Sequence, residues 1–586
     1  MYIRPVRKQY YTVLVQPNVD EDGNLQPMVI DSKGRIIVDS YGYIQSLKAC
    51  PSGVNCVGQK TQTSGIQEAI NYVQNLGGGK VYLKRGTYTA NTTIVVPSNI
   101  ELAGEGRFLT MIQPSSTFTP NAYLASINRN ALIWLSSSQT TDATVQNTSI
   151  HDLEINIPFS QMASINGIYS HVNWKFVEIY NMYMVNASCW NEVMAPDSHH
   201  VTIRNFITIN SNAPVAFYLN AAATGQTYHD ILVENIFNYI NQPVSDDRIA
   251  IIGNSPGLYG SNNYNQVYNI IIRNIFVYVS PSVTSATVNG VKVDTGINTL
   301  MTDILIDGVS FWGNASGGLY SSPVLVYINT YGQYDRLIIR NISAYNANGI
   351  YIQHNVGSIP GYDTGWTIID GVEMNNVYGN GGIIIDTASV PQPFDYILIK
   401  DFMIELASPI NSTNGTPVGI MLTGGASAQG TYRVDVKDGI VINGYAAVSN
   451  NVFINGGIQS TPYSYNYINV ENVHTRNTYV GFSLANVPGT SLVFIKPTLD
   501  NIPSISTPAV PASGTSLQNT NPYAVEVYLS GGLTTAVQVT RGGTTYTVWS
   551  SSTATAIPSL TVHLYPSDSI TLTYSTAPTW IWLPSL

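Results

Sequence analysis

The sequence predicts an all-β protein: a right-handed, single-stranded parallel β-helix with an N-terminal capping helix, followed by a small C-terminal antiparallel β-sandwich. Three observations carry that expectation. First, a short signature recurs, as IHDLEINI at Ile150, VEIYNMYM at Val177, TIRNFITI at Thr202, LVENIFNY at Leu232, IIRNIFVY at Ile271 and LIDGVSFW at Leu305. It continues as IIRNISAY at Ile338, IIDGVEMN at Ile368, LIKDFMIE at Leu398, DVKDGIVI at Asp435 and NVENVHTR at Asn469. Each copy sets Asn, Asp or Gly at one position: Asp152, Asn181, Asn205, Asn235, Asn274, Gly308, Asn341, Gly371, Asp401, Asp438 and Asn472. Repeats of this period stack, because no unit buries its apolar edge alone. Second, side chains in each copy alternate with period two, and no helical period fills the gaps. Third, the steps between copies vary from 24 to 39 residues, which places insertions in loops at one corner of each turn.

Composition bounds the rest. A chain of 586 residues exceeds one compact core, but a solenoid grows along its axis. Only 10% of residues are charged, with 25 Lys and Arg against 35 Asp and Glu, so Gly, Asn, Thr, Ser and 39 Tyr form the surface. Such a surface suits an exposed, extracellular setting, including acid, where carboxylates lose charge. A net charge of −10 argues against a nucleic-acid partner. Tyr, Asn and Thr favour sugars, though they also fill β-helix corners. Cys50, Cys56 and Cys189 make no disulfide framework, although Cys50 and Cys56 flank a loop short enough to close as a ring. No metal-ligand spacing is present, and no cofactor is expected. The opening MYIRPVRKQYYTVLVQ lacks the apolar run of a secretory signal, and no apolar run approaches the length of a membrane span. A virion protein, assembled in the cytoplasm and exposed later, reconciles that start with an external type of surface. Seven N-x-S/T sequons (Asn91, Asn147, Asn186, Asn314, Asn341, Asn411, Asn414) carry little weight in a chain so rich in Asn and Thr.

The elements follow in order. Residues 1–60 read as a docking or arm segment rich in Lys and Arg, with a hairpin signal around Asp31-Ser32-Lys33-Gly34. Residues 61–506 read as the β-helix. Its cap helix is expected over 64–76, with Ser64 and Gln67 as a capping box and Ile66, Ala69, Ile70, Val73 and Leu76 on one face. Gly77-Gly78-Gly79 stops it. A helix here covers the open apolar end of the stack. Residues 507–520 read as a linker. From 521 to 586, VEVYLSGG, AVQVTRGG, TYTVWSS, LTVHLYPSD and SITLTYS alternate between turns as a sandwich, with the finish Trp580, Trp582 and Leu583 read as its core or, second, as a contact surface.

The run from Ser64 to Gly106 (helix, triple glycine, strand, G-T-Y, strand, G-x-G) resembles the opening of pectin-lyase-like β-helix proteins. These include polygalacturonases, pectate lyases and viral tailspikes and depolymerases. With the repeats, the resemblance covers roughly residues 60–500. It speaks for the fold and says little about chemistry.

Candidate site residues lie on a second strand of each turn. Alternation sets Tyr218, Ala250, Lys292 and Tyr351 in one outward row, and Asn220, Ile252, Asp294, Gln353 and Asp386 in the next. That face is a bed for an extended polysaccharide. Ser245-Asp246-Asp247-Arg248-Ile249-Ala250-Ile251 is similar to the polygalacturonase motif, whose aspartates act as acid and base of an inverting hydrolysis. The resemblance implies catalysis by Asp246 and Asp247. Gly290-Val291-Lys292-Val293-Asp294 resembles the family's G-V-R-I-K strand, which implies substrate binding by Lys292, while Asp294 is a substrate-binding candidate through its outward row. The departures are specific. Val215 stands near the place of the family's N-T-D aspartate, Gly257-Leu258-Tyr259-Gly260 lacks the G-H-G histidine, and Asp294 replaces a lysine. His199 and His200 beside Asp197, and His171 and His354, read first as turn or corner residues.

Three functions stay open. One is a homotrimeric virion spike that recognises host-surface glycans, polysaccharide or glycoprotein, and docks to other virion proteins through its N-terminal segment, without membrane insertion. Another is an extracellular glycoside hydrolase or lyase. The third is a non-catalytic cell-surface protein.

Overall fold

The structure is a computed structural model. It describes residues 18–19, 25–26, 36–38, 62–193 and, within 197–584, the stretches that carry the strands named below. The chain divides into two compact units, Met1–Tyr334 and Asp335–Leu586.

In the first unit two parallel ladders run side by side along the sequence. The first ladder takes Gly79–Leu83, Ile100–Gly104, Val145–His151, Trp174–Tyr180, Ser198–Ile209, Thr227–Ile240, Asn265–Val279 and Thr299–Trp312. The second takes Ile94–Val96, Ala131–Leu135, Asn166–Ser170, Cys189–Val193, Val215–Asn220, Asp246–Asn254, Val288–Asp294 and Val324–Ile328. Successive strands alternate between ladders, so the chain coils, and a parallel return to the same sheet is right-handed for steric reasons.

Register makes the core a column. Leu102, Ile150, Ile179, Ile203, Val233, Ile272 and Ile306 stand directly over one another, each fully buried. Facing them, Ile94, Ile133, Ile168 and Cys189 form a second buried column, and Val215, Ile249, Val291 and Val324 form another such run. Burial also pushes the Cys189 thiol far above its usual range, which leaves it chemically inert.

Corners need positive φ, which most L residues avoid. Asp152, Asn181, Asn205, Asn235 and Asn274 adopt φ of 53° to 59°, and Gly308 adopts 74°. Their side chains form a ladder of their own. Asn181 donates to Asp152 Oδ1 at 3.1 Å, and Asn205 to Asn181, Asn235 to Asn205 and Asn274 to Asn235, each at 3.0 Å. A second corner lies five positions earlier on the longer strands, at His200, Asp230, Asn269 and Asp303, all between 55° and 57°.

The cap helix runs Ile66–Asn75 and buries Ile66, Ala69, Ile70 and Val73, while Leu76 is half exposed at the C-cap. The capping box is a correction. Gly65, not Ser64, is the N-cap, in the left-handed region and without a side-chain cap. Ser64 instead donates to Thr89 O at 2.7 Å, and Gln67 pairs with the edge strand: its Oε1 accepts from Val95 N at 2.6 Å and its Nε2 donates to Val95 O at 3.1 Å. Ile36–Val38 adds a parallel strand beside Val81–Leu83. The rest of the expected hairpin, with Cys50 and Cys56, lies outside the described residues.

The second unit repeats the ladders. Ile339, Ile369, Ile399, Val436 and Val470 share one column, and Ile350, Ile383, Ile420 and Val452 share a register on the other. Corners fall at Asn341, Gly371, Asp401, Asp438 and Asn472, again at positive φ. The C-terminal part is a five-stranded antiparallel sheet. Its strand Val525–Arg541 bends at Gly531-Gly532, so the first half pairs with Thr579–Pro584 and the second half with Ser569–Thr576. Gly542 and Gly543, both at positive φ, close the hairpin to Thr544–Leu564. Trp580 and Trp582 are core. Trp580 Nε1 donates to Pro508 O at 2.7 Å, and Ser516–Gln518, within the stretch read as a linker, is an edge strand.

Candidate glycan-binding face

After the Asn205-type corner, the first-ladder strands of the first unit present two outward rows. One holds Tyr183, Ile207, Phe237, Phe276 and Ser310, and the other Val185, Ile209, Tyr239, Tyr278 and Trp312. The alternate residues Phe206, Ile236, Ile275 and Val309 point inward and are buried. Neighbouring rungs lie about 4.8 Å apart, so like rings stack. Phe237 and Phe276 are parallel at 4.7 Å, Tyr239 and Tyr278 at 5.5 Å, and Trp312 tilts toward Tyr278 at 6.5 Å. Phe237 is 41% and Trp312 48% exposed. Apolar rings in a continuous exposed band mark an interaction surface.

Beside the band runs a groove of about 550 Å³, lined by Arg107, Asp152, Asn181, Asn205, Phe206, Ile207, Asn235 and Phe237. The amide ladder is its wall. A primary amide has two N–H groups and two acceptor sites. The ladder bonds engage one N–H of each of Asn181, Asn205 and Asn235, and one acceptor site. The Arg107 guanidinium, which donates to Asn205 O at 3.3 Å, rests over the Phe108 ring. At one end His151 sits between Asp152, 2.7 Å from Oδ2, and Glu101, 3.0 Å from Oε1. That hydrogen bond to His151 pulls the Glu101 carboxyl down to about 2. Glu154 heads the first row beside Tyr183, and burial holds its carboxyl above the usual range. The face sets aromatic rings beside side-chain amides, which offers flat apolar surface next to hydrogen-bonding groups.

The residues singled out from the sequence lie elsewhere. Asp247 is nearly buried, accepts from Asn289 Nδ2 at 2.8 Å and pairs with Lys292 Nζ at 3.3 Å. The Asp246 side chain is outside the described residues, as are those of Asn220, Asp386 and His354. The outward rows need a correction. Ala216, not Tyr218, stands beside Ala250 and Lys292, and Tyr218 joins Ile252 and Asp294, a slip of two residues. Asn220 then pairs with Asn254. Part of that face is closed: Ala213, Ala216 and Ala250 are buried under Trp190, Tyr218 and Ile252. Trp190 and Tyr218 stack at 4.8 Å. In the second unit Gln353 does align with Asp386, and Tyr351 with Ile384. Arg248, placed in the small-residue position, is fully buried and donates to Ser211 O. His171 Nδ1 lies 2.6 Å from Asp142 Oδ2, which also accepts from Tyr123, a bonded corner.

Stacked ladders, a capping helix and corner amides decide the fold. The chain is a single-stranded parallel β-helix. No family model and no curated protein matches it. Among solved structures, the β-helix is similar to the A-module of a mannuronan C-5 epimerase from Azotobacter vinelandii, with TM-score 0.36 and 13% identity over 73% of this chain and 96% of that one. A GH87 α-1,3-glucanase catalytic domain with bound tetrasaccharides gives 0.31 and 14% over 72% and 67%. The GH87 catalytic unit from Streptomyces thermodiastaticus gives 0.33 and 10% over 74% and 67%.

Proposed function

We propose that this β-helix is a glycan-binding attachment protein, of the kind a virion displays as a spike, and that its ligand is an extended polysaccharide laid along the aromatic band. The observation that carries this reading is the run of stacked rings over three successive rungs, Phe237 and Tyr239, Phe276 and Tyr278, then Trp312, flanked by a wall of side-chain amides. Each sugar presents an apolar face and a rim of hydroxyls, and the two halves of the site match the two halves of that ligand. The low-charge, Tyr- and Asn-rich surface supports an external setting. Docking through the N-terminal segment and a homotrimeric assembly belong to the same proposal. Turnover is left outside the proposal; Asp247, the candidate acid whose side chain is described, pairs with Asn289 and Lys292.

The test is a binding screen over host-surface and neutral polysaccharides. Phe237→Ala combined with Phe276→Ala should weaken the best ligand about tenfold to a hundredfold, from roughly 1–3 kcal/mol over two rings. The melting temperature should fall only modestly, since Phe237 is exposed and Phe276 is half-buried, and both face outward. A ligand bound equally well by this double variant would move the site off the band. Reducing ends released by the wild type and not by Asp247→Asn would replace the binder with an enzyme.

A further inference from the structure

In the first unit the corner amides divide charge from neutrality. Before the corner, the first-ladder strands carry Lys175, Glu178, Arg204, Glu234, Arg273 and Asp307. Past it the charges stop: residues 205–229, 235–245, 274–291 and 308–334 contain no Asp, Glu, Lys or Arg. Register turns that pattern into a surface. The outward rows from Tyr183 to Ser310 and from Val185 to Trp312 are uncharged on five successive rungs, about 19 Å at the usual strand spacing. Outward positions of these same strands accept Arg, Glu and Asp before the corner, so folding does not forbid charge past it.

Two charged residues line the adjoining groove, and both are engaged. Asp152 accepts from Asn181 at Oδ1 and meets His151 at Oδ2. Arg107 donates to Asn205 O and lies over the Phe108 ring. Glu154, at the head of the first row, is buried and accepts from Asn156 Nδ2 at 3.2 Å. A single guanidinium is therefore the whole cationic complement of the groove lining and the two rows.

We propose that the ligand of this face is a neutral polysaccharide, a chain of uncharged hexoses without carboxylate or sulfate. The inference rests on the aromatic band being the glycan site. A polyanion laid along the rows would bring repeated charges against phenyl and indole rings, strip water from each and find one cation in return. Uncharged hydroxyls cost far less to desolvate, and the spare N–H and acceptor sites of the amide wall suit them. The neutral rows thus act as a filter on charge as well as a bed.

Calorimetry with matched pairs of polymers tests this: hydroxyethylcellulose against carboxymethylcellulose, dextran against dextran sulfate, and carboxyl-reduced against native polygalacturonate. The neutral member of at least one pair should bind tenfold or more tightly than its acidic twin. Its affinity should be the same at 0.02 M and 0.5 M salt, since screening acts only between charges. Ser310→Lys sets a cation on a half-buried outward position. It should raise affinity for the acidic twin several-fold at low salt and leave the neutral one unchanged, with the melting temperature reporting that the variant folds. Phe237→Ala with Phe276→Ala should remove the neutral binding. Neutral binding that survives this double variant would show that the band is not the site, and the inference would go with it. An acidic twin that binds better than the neutral one, weakens with salt and is lost with the two rings would keep the band and overturn neutrality alone. Binding by no neutral member would overturn it as well.

Discussion

Asn235 illustrates what one residue does here. It holds φ of 57°, donates to Asn205 and accepts from Asn274. Replacing it by alanine leaves an ordinary L residue in a conformation costing about 1–2 kcal/mol and removes two amide bonds worth roughly 0.5–1.5 kcal/mol each. Asn235→Ala should therefore cost about 2–4 kcal/mol in denaturant unfolding, and Asn235→Gly distinctly less, because glycine keeps the conformation. Gly308 supplies the reverse experiment. A Cβ added there meets Asn274 Oδ1 at 3.1 Å, and because Asn274 also donates to Asn235 at 3.0 Å, the give in that amide decides the sign. Gly308→Asn would let a new amide donate to that same oxygen, as every earlier rung does. The expected result is a gain of up to about 1 kcal/mol; a loss would mean that the Asn274 amide cannot move.

At the scale of elements, Gln67 shows how a helix seals a solenoid. Its amide takes the place of a missing strand, satisfying both backbone groups of Val95. Gln67→Ala orphans a donor and an acceptor in a strand where Val95 is buried, at a cost of about 2–4 kcal/mol. It also opens an edge to strand addition. Heated samples should scatter light earlier than wild type, while Gln74→Ala, at the exposed end of the same helix, should not. The sequence made the helix legible through its apolar face, yet assigned Gln67 to a capping box, since a local pattern cannot show a partner 28 residues away. The same limit explains the other differences. Corners such as Asn205 were readable because positive φ selects Asn, Asp and Gly. The preceding corner escaped because Phe176 and Arg336 interrupt the Asn and Asp residues that mark it elsewhere. The two-residue slip at Tyr218 kept inside and outside unchanged, so alternation was blind to it. Buried Asp247 and Arg248 owe their burial to Asn289, Lys292 and Ser211, from other turns.

Across the whole molecule, each rung answers only to its neighbours, and the charges follow that rule. In the first unit the position before each corner amide reads Arg204, Glu234, Arg273 and Asp307, and register lays these side by side. In the second unit the same position reads Arg340, Asp370, Lys400, Lys437 and Glu471. A chain with so few charges has placed them mostly in alternation, where opposite neighbours attract and a shift by one rung would set like charges together. Arg273 Nε donates to Glu234 at 2.7 Å, and Lys400 Nζ lies 2.9 Å from Asp370. Exposed pairs of this kind are worth little singly, about 0–1 kcal/mol, so their larger effect is on register. Arg273→Glu would put three acids on consecutive rungs, and at low salt it should destabilise by about 1–2 kcal/mol, more than Arg273→Gln does. Adding Glu234→Arg to Arg273→Glu restores a cation beside an acid, but sets that cation next to Arg204. The exchange should therefore recover only part of the loss. Raising salt from 0.02 M to 0.5 M should shrink every one of these differences, because the screening length falls below about 5 Å, near the rung spacing. Equal unfolding midpoints for Arg273→Glu and Arg273→Gln at low salt would remove charge from the forces that set the register.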